Sequence, residues 1–460
     1  MTGALGRTWI VAAAIASGIV LRPPALVGAG AMLFLLRRAP AATVAALVFT
    51  GMALGGAAAQ RHEARRGVLA AEAEGVPRCD VDGVLREHLG GLGSLVSVRR
   101  AECGGVAIEG GTVAAPPLDA HPGAPIRARG RLVPLEDDSF DTARRRLGAE
   151  AAFAPAALEA SMPTSPPAAL AARIRTGLRR ATSPLDATEA ALLRGLTIGD
   201  TRDLPAADAE YLRRAGLSHL VAVSGSNVAV VLGAVAAAAR RLRAAARVAL
   251  AAGGLALFVL VVGPEPSVLR AAAMGGAGLA AVIVGTRAVP LHVLALAVVT
   301  VLALRPALLF SAGLQLSVAA TAGIILWAPR ITARLALPPP VAVALGVTVA
   351  AQVAVVPVLV LTFGGVPVAG LPANLVAAPA VAPATVLGFA AALLGALDPG
   401  LAALPARLAA PLAAWIIGVG RHFGAPEWAT ITLPPAFGWA AAAALAAAAL
   451  RTLRTSSAVR

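Results

Sequence analysis

Apolar and polar positions divide this chain into regimes with different periods. Residues 8–21, 25–36 and 41–59 are nearly unbroken apolar runs, the first two separated by Arg22-Pro23-Pro24. Each is a little short of the roughly 20 residues that cross a bilayer, so a tight bundle or a thinned membrane is expected. From about 60 to 165 the pattern turns to short alternating stretches. Val81–Leu85, Leu95–Arg99, Gly105–Glu109, Ile126–Val133 and Ala149–Ala154 read as strands between Gly/Pro-rich breaks. Five or so short strands suggest a small closed barrel of the oligonucleotide-binding (OB) type. From Leu217 the chain is apolar again. Window length and hydropathy give about nine further segments, at 218–239, 248–263, 267–285, 289–304, 308–327, 340–361, 371–397, 403–421 and 436–450.

The expected fold is therefore a polytopic α-helical membrane protein with an inserted small β-barrel. Its layout is N-terminal membrane helices over 1–59, the barrel over 60–165, an amphipathic helix and connecting segment over 166–216, a membrane domain over 217–452 and a tail over 453–460. Within 168–180, AALAARIRTGLRR, Leu170, Ile174 and Leu178 share one helical face and Arg173, Arg175, Arg179 and Arg180 crowd the rest. Such a helix lies on a membrane surface or packs, solvated, on the barrel, and the surface is the expectation adopted.

Composition agrees with the membrane reading. The chain of 460 residues is 58% hydrophobic, with a mean hydropathy of +0.79, well above soluble usage. Small residues dominate, as close helix packing in lipid requires. The net charge of +15 is unevenly spread. Residues 60–180 carry 17 Arg against 15 acids, whereas residues 181–460 carry 18 against 9. The excess lies in the membrane parts, where cytoplasmic loops collect arginine, so global charge says little about a nucleic-acid partner.

The same rule orients the chain. Arg37-Arg38, the cluster Arg240-Arg241-Arg243-Arg247, then Arg287, Arg330, Arg334, Arg451 and Arg454 fall on the cytoplasmic side, and both termini with them. Residues 60–165, Arg305 and Arg421 fall outside. Cys79 and Cys103 lie in that external segment, where a disulfide is plausible.

Candidate chemistry is sparse. The histidines show no metal-binding spacing, and a chain without lysine has no Walker motif, so no cofactor is implied. Ser224 with His219 and Asp200 or Asp203 would make a hydrolase triad. Ser224 lacks a Gly-x-Ser-x-Gly elbow, however, and His219 five residues away lies off its helical face. No catalytic residue is assigned. On the barrel, Arg127, Arg129 and Arg131 share one strand face and Arg99 could join them. They are a stripe for a nucleic-acid backbone or a solvated face balanced by nearby acids. Asp200 of the connecting segment and His219, Ser224, Gly225, Asn227, Arg270, Gln315, Ser317, Gln352 and Asn374 of the membrane domain are candidate path residues, polar groups or glycine at costly positions. Each alone suits a hydrogen bond between helices, and several together make a water-accessible path credible.

Residues 191–232 resemble the signature of the ComEC competence-protein family. They read Leu196-Thr197-Ile198-Gly199-Asp200-Thr201-Arg202, then Gly216-Leu217-Ser218-His219-Leu220, three residues, and Ser224-Gly225. Asn227 stands where the family commonly has histidine. Pro266 to Met274 resembles the family's arginine helix, and Gly313-Leu314-Gln315-Leu316-Ser317 its Phe-Gln-Leu-Ser segment. Gln352 to Pro357 and Leu371-Pro372-Ala373-Asn374-Leu375 to Pro379 resemble its late segments, and Ser139-Phe140-Asp141 with Arg144 to Leu147 the end of its external barrel. The resemblance implies an inner-membrane channel that passes single-stranded DNA during transformation, in a form without the C-terminal metallo-β-lactamase-like domain. It implies as partners membrane lipid, single-stranded DNA, and a separate nuclease, DNA receptor and cytoplasmic ATPase. The alternative is a transporter or exporter of a small or lipid-like solute through the same broken helices.

Overall fold

The computed structural model describes residues 67–458, apart from 89–92, 117, 119, 137–143, 145–148, 162, 164, 222, 264, 284, 286–288, 305–307 and 309–310. The three N-terminal apolar runs, the Ser139-Phe140-Asp141 motif, Arg145 to Leu147, Arg287 and Arg305 lie outside the described residues. The described residues fall into two compact units, one ending at Thr176 and joined by residues within Leu302–Phe310, the other made of Gly177–Val301 and the chain from Ser311 on.

The first unit holds helix α1 (Gly67–Ala73) and strands β1 (Arg78–His88), β2 (Ser94–Cys103), β3 (Val106–Glu109), β4 (Thr112–Ala115), β5 (Pro125–Val133) and β6 (Ala151–Ala160). Pairing runs β1–β5–β6–β4–β2, and β2 returns to β1, so five strands close into a barrel while β3 extends β2 as a hairpin. Among the described strands β4–β6 is the one parallel pair. This is a closed five-stranded barrel of the OB type. In β5, Ile126, Ala128, Gly130 and Leu132 point inward and Arg127, Arg129 and Arg131 outward, the period-two pattern of a half-buried strand. Ile126 and Leu132 join Val81, Leu85, Val96, Val113 and Phe153 in the core. The sequence pattern misses β4, because all four of its residues are buried and no alternation marks it. Cys79 faces Cys103 across β1 and β2 at a Cα separation of 4.2 Å, and the two form a disulfide inside the core.

Helix α2 (Pro166–Thr182) differs from the surface helix expected. Ala171, Ala172, Ile174, Arg175, Leu178, Ala181 and Thr182 are all buried, so it packs against protein rather than lying on lipid. Helix α3 (Ala187–Ile198) starts at Asp186, whose carboxylate accepts the N–H groups of Thr188 and Glu189. It stops at Gly199, which takes the left-handed conformation (φ 73°) that a helix end favours in glycine. Helix α4 (Ala206–Arg214) follows.

The segment expected as one helix over 218–239 is two. Short α5 (Ser218–Val221) and α6 (Gly225–Ala238) are separate helices, with Val223 non-helical between them and Ser224 extended at φ −107°, ψ 163°. Fourteen residues rise about 21 Å, short of the roughly 30 Å hydrocarbon core. Beyond it come α7 (Ala244–Val262), α8 (Pro266–Ile283), α9 (Pro290–Leu304), α10 (Ala312–Thr332), α11 (Pro339–Phe363), β7 (Gly365–Val366), α12 (Gly370–Gly395), α13 (Pro399–Gly424), β8 (Ile431–Thr432) and α14 (Pro435–Ala458). Among the described residues five of these, α7 and α10 to α13, are long and apolar enough to cross a membrane, and α8, α9 and α14 contain shorter apolar stretches. The chain is a multi-pass membrane protein.

Helices α12 and α13 form an antiparallel pair through Ala373, Ala377, Ala380 and Ala384 against Ala409 and Ala413; small side chains let the backbones approach. Leu192, Leu193, Leu196 and Leu212 of α3 and α4 bury in the same cluster. Gly216 packs on Gly370 at one end of α12, and the backbone of Gly177 meets Gly395 at the other. Residues 177–216 therefore run the length of that helix, about 39 Å for 26 residues. Gly177 and Arg421 thus lie at opposite ends of it, so the charge rule, which puts residues 60–165 and Arg421 both outside, fails for one of the two. The turns after α11 and after α13, which charge alternation assigns to one side, pair with each other as β7–β8. Arg214 donates to the Pro426 carbonyl at 2.5 Å, and Asp208 holds Arg421 through two hydrogen bonds of 2.6 and 2.9 Å at the same end.

Candidate functional site

The break before α6 gathers half of the polar residues singled out from the sequence. Where a helix is interrupted, carbonyl and N–H groups lose their partners and must find others. The Val223 carbonyl accepts Ser267 Oγ at 2.7 Å. The Ser224 carbonyl accepts the N–H of Asn227 at 3.1 Å. Ser224 Oγ donates to Asn227 Oδ1 at 3.1 Å and lies 2.5 Å from Ser226 Oγ. Buried Asn227 donates through Nδ2 to the Leu196 carbonyl at 2.9 Å, one of the carbonyls left over at the end of α3. Gly195 packs on the Val221 carbonyl so closely that a Cβ would collide with it. The motif thus locks the end of α3 into the gap between α5 and α6.

Arg270, in the second turn of α8, is buried at 6% exposure. Its Nε donates to Ser317 Oγ of α10 at 2.8 Å, and its Nη1 lies 3.2 Å from the Met274 sulfur. Its Nη2 rests against Gly225, where a Cβ would overlap it. Among the described residues no carboxylate pairs with this guanidinium. Ser224, Gly225, Asn227, Arg270 and Ser317 are therefore one constellation.

The other residues go elsewhere. Asp200, with its side chain 6% exposed, sits between Arg179 of α2 (2.7 and 3.0 Å) and Arg202 (2.8 and 3.1 Å). Burial pushes its carboxyl up, but the hydrogen bonds and charges of Arg202 and Arg179 outweigh that and hold it well below the usual carboxylate range. Gln352 donates to the Pro367 carbonyl at 3.1 Å, and Asn374 to the Gly370 and Gly216 carbonyls at 2.7 and 3.4 Å. Both amides are thus engaged in holding the turn before α12. His219 is exposed, with its ring hydrogen-bonded to the Gly216 backbone. Exposed Gln315 lies two residues before Ser317, off its helical face. Ser224 is bonded to Ser226 and Asn227, so no imidazole or carboxylate activates it among the described residues.

On the barrel, carboxylates stand between the arginines. Across the outer face the register lines up Glu159, Arg127, Asp82, Arg100 and Glu109 on β6, β5, β1, β2 and β3. The next rung pairs Arg129 with Asp80 at 2.6 and 3.3 Å. Hydrogen bonding to Arg129 lowers the Asp80 carboxyl, and the same bond raises the guanidinium. Arg131 stands opposite Arg78, and Arg99 is exposed on β2. This is a charge ladder in which two of the three arginines of the stripe face acids, not a bare cationic stripe.

Sequence reasoning missed Ser267, which covers the broken carbonyl, and the role of Arg179 and Arg202 as counter-ions to Asp200. A serine directly after a helix-starting proline was the available signal for the first. Nothing in the sequence marks Arg179, 21 residues upstream on another helix, as the partner of Asp200.

A family model described as competence protein matches residues 196–457, more than half of the chain. The chain belongs to the competence-protein family. The match begins at Leu196, the residue whose carbonyl Asn227 takes, and takes in the whole constellation around Arg270 while leaving the barrel outside. Competence-family membership ties the chain to DNA uptake, and the family is one of channels rather than catalysts. No metallo-β-lactamase-like domain is matched within the chain. No curated protein and no solved structure matches it.

Proposed function

We propose that this protein is the channel that carries single-stranded DNA across the cytoplasmic membrane during uptake, with the barrel on the outer side. The observation that carries the reading is the break between α5 and α6, where Val223 and Ser224 leave helical geometry. Backbone leaves helical geometry at membrane depth only where it is buried in protein or lines a hydrated space. Here exposed His219 and Ser226 flank the break, beside a buried arginine that has no counter-ion among the described residues. Ser224, Asn227, Arg270 and Ser317 border the passage in this reading, and Gln352 and Asn374 hold the turn beside it. No bond is made or broken. A separate nuclease, DNA receptor and ATPase would supply strand removal, capture and work.

The test is uptake of labelled DNA by a transformable strain deleted for its own channel and complemented with wild type or Asn227→Leu. Nuclease-protected label should appear with wild type and fall at least tenfold with Asn227→Leu at equal membrane abundance. Equal uptake by the two would refute the proposal that the break borders the path.

A further inference from the structure

We infer that Arg270 and the first turn of α6 form a binding site for one phosphodiester group inside the membrane bundle. A helix start carries unpaired N–H groups and a partial positive charge, which suits an anion. At α6 the Ser224 side chain does not cap these groups, and the Gly225 and Ser226 N–H groups have no acceptor among the described residues. The second observation is independent of the helix. Arg270 is more than nine-tenths buried, with Nη2 set against Gly225 and without an acceptor among the described residues.

The sequence explains why no carboxylate reaches it. Residues 1–62 contain no acid, and residues 211–460 contain only Glu265, Asp398 and Glu427. Asp398 caps α13 through Gly400 and Leu401, Glu427 lies in the turn before β8, and neither they nor Glu265 pairs with Arg270. A buried guanidinium held only by neutral groups, with Nη2 left without an acceptor among the described residues, is expensive in an apolar bundle. An anion that enters transiently would meet a guanidinium edge, two N–H groups and the hydroxyls of Ser226 and Ser224. Gly225 is needed for this approach, since any side chain there would displace Nη2. A phosphodiester fits in charge and in acceptor geometry. That the phosphodiester belongs to a DNA strand rests on the channel reading; a lipid headgroup offers the same chemistry.

Full-length protein in phosphatidylcholine nanodiscs separates the two. A labelled oligo-dT should bind with an affinity that falls with salt. Arg270→Gln should flatten the log–log salt slope by about 0.7, the value of one single-strand phosphate contact. Arg270→Lys should keep the slope. Gly225→Ala keeps the charge, displaces the guanidinium and should flatten the slope likewise, so the inference stays testable if Arg270→Gln does not accumulate. In parallel, inorganic phosphate should raise the unfolding midpoint above chloride at equal ionic strength, and Arg270→Gln should lose that shift. An Arg270-dependent shift with phosphate and with anionic lipid, but no oligonucleotide binding, would keep the site, name a headgroup as its ligand and remove the DNA path. Unchanged slopes together with a phosphate effect that does not depend on Arg270 would overturn the site.

Discussion

Asn227 of α6 donates to the carbonyl of Leu196 near the end of α3 at 2.9 Å while accepting from Ser224 Oγ at 3.1 Å. One side chain thus closes the accounts of two helix ends and needs a donor and an acceptor at once. A neutral imidazole also offers one of each, which gives a physical reason why histidine and asparagine can both serve at this position. Asn227→Leu would strand a buried carbonyl, at a cost of about 1–3 kcal/mol, and should lower the unfolding midpoint. Asn227→His should keep uptake at pH 8. Below about pH 6.5 the ring gains its second proton and loses the acceptor for Ser224. Uptake by Asn227→His should then fall with acid while wild type shows no such step, and parallel pH profiles would refute the account.

Asp200 predicts a stability experiment. Its carboxyl is lowered in the folded state by Arg202 and Arg179 against the opposing effect of burial. The stabilisation is therefore complete above the unfolded value near 3.9 and is lost only as pH falls through the lower folded value. Between pH 5 and 8 the contribution of this pair to thermal stability should be full and independent of pH. Asp200→Asn leaves two arginines facing each other and should cost about 3 kcal/mol, toward the lower end for breaking a buried pair because both guanidinia are about one-quarter exposed. The deficit of Asp200→Asn should be constant from pH 5 to 8. A deficit that shrinks already at pH 6 would mean that the carboxyl is not held low.

These two residues also mark how far the sequence could be read. Asp200 was visible as a polar residue in a motif, but its arginines come from α2 and from two residues downstream, and only packing brings them together. The barrel was legible wherever one strand face is wet, as in Arg127, Arg129 and Arg131 alternating with Ile126, Ala128 and Leu132. It was illegible at β4, where both faces are covered. The apolar segments follow from hydropathy alone, yet the break at Val223 and Ser224 does not, since Val223 is as apolar as any helix interior. Gln352 and Asn374 look in sequence like the other isolated polar groups, and only the turn at Pro367–Gly370 shows that carbonyls occupy them. Arg270 is the reverse case, because its isolation is already written in the shortage of acids along the membrane segments.

The disulfide gives a localisation experiment as well as a stability one. Cys79 and Cys103 are bonded and buried between β1 and β2, at a sequence separation of 24. Closing a loop of that size restricts the unfolded barrel by about 3 kcal/mol in the chain-entropy account. In membranes isolated with thiols trapped at lysis, the chain should take up no maleimide until it is reduced and denatured. The Cys79→Ser/Cys103→Ser variant should unfold its barrel at lower temperature. Two labelled cysteines without reduction would place the barrel in a reducing compartment and contradict an external position.

On the barrel's outer face the acids decide what the arginines can do. Arg129 is held by Asp80, and Arg127 stands 3.8 Å from Asp82. A strand of DNA that approaches this face meets carboxylates at the spacing of the guanidinia, so the attraction of each cation is largely cancelled within a few ångströms. Removing the acids should therefore reveal what removing the arginines would hide. Asp80→Asn/Asp82→Asn adds two net positive charges and frees both guanidinia, and at low salt it should raise the affinity of the full-length protein for oligo-dT several-fold. It should also steepen the salt slope by up to about 1.4, two single-strand contacts. Arg127→Ala/Arg129→Ala in the otherwise native protein should change either quantity little. If that second variant instead lost most of the binding, the ladder would be a working contact surface despite its acids, and the barrel would share the recognition of the strand with the site at Arg270.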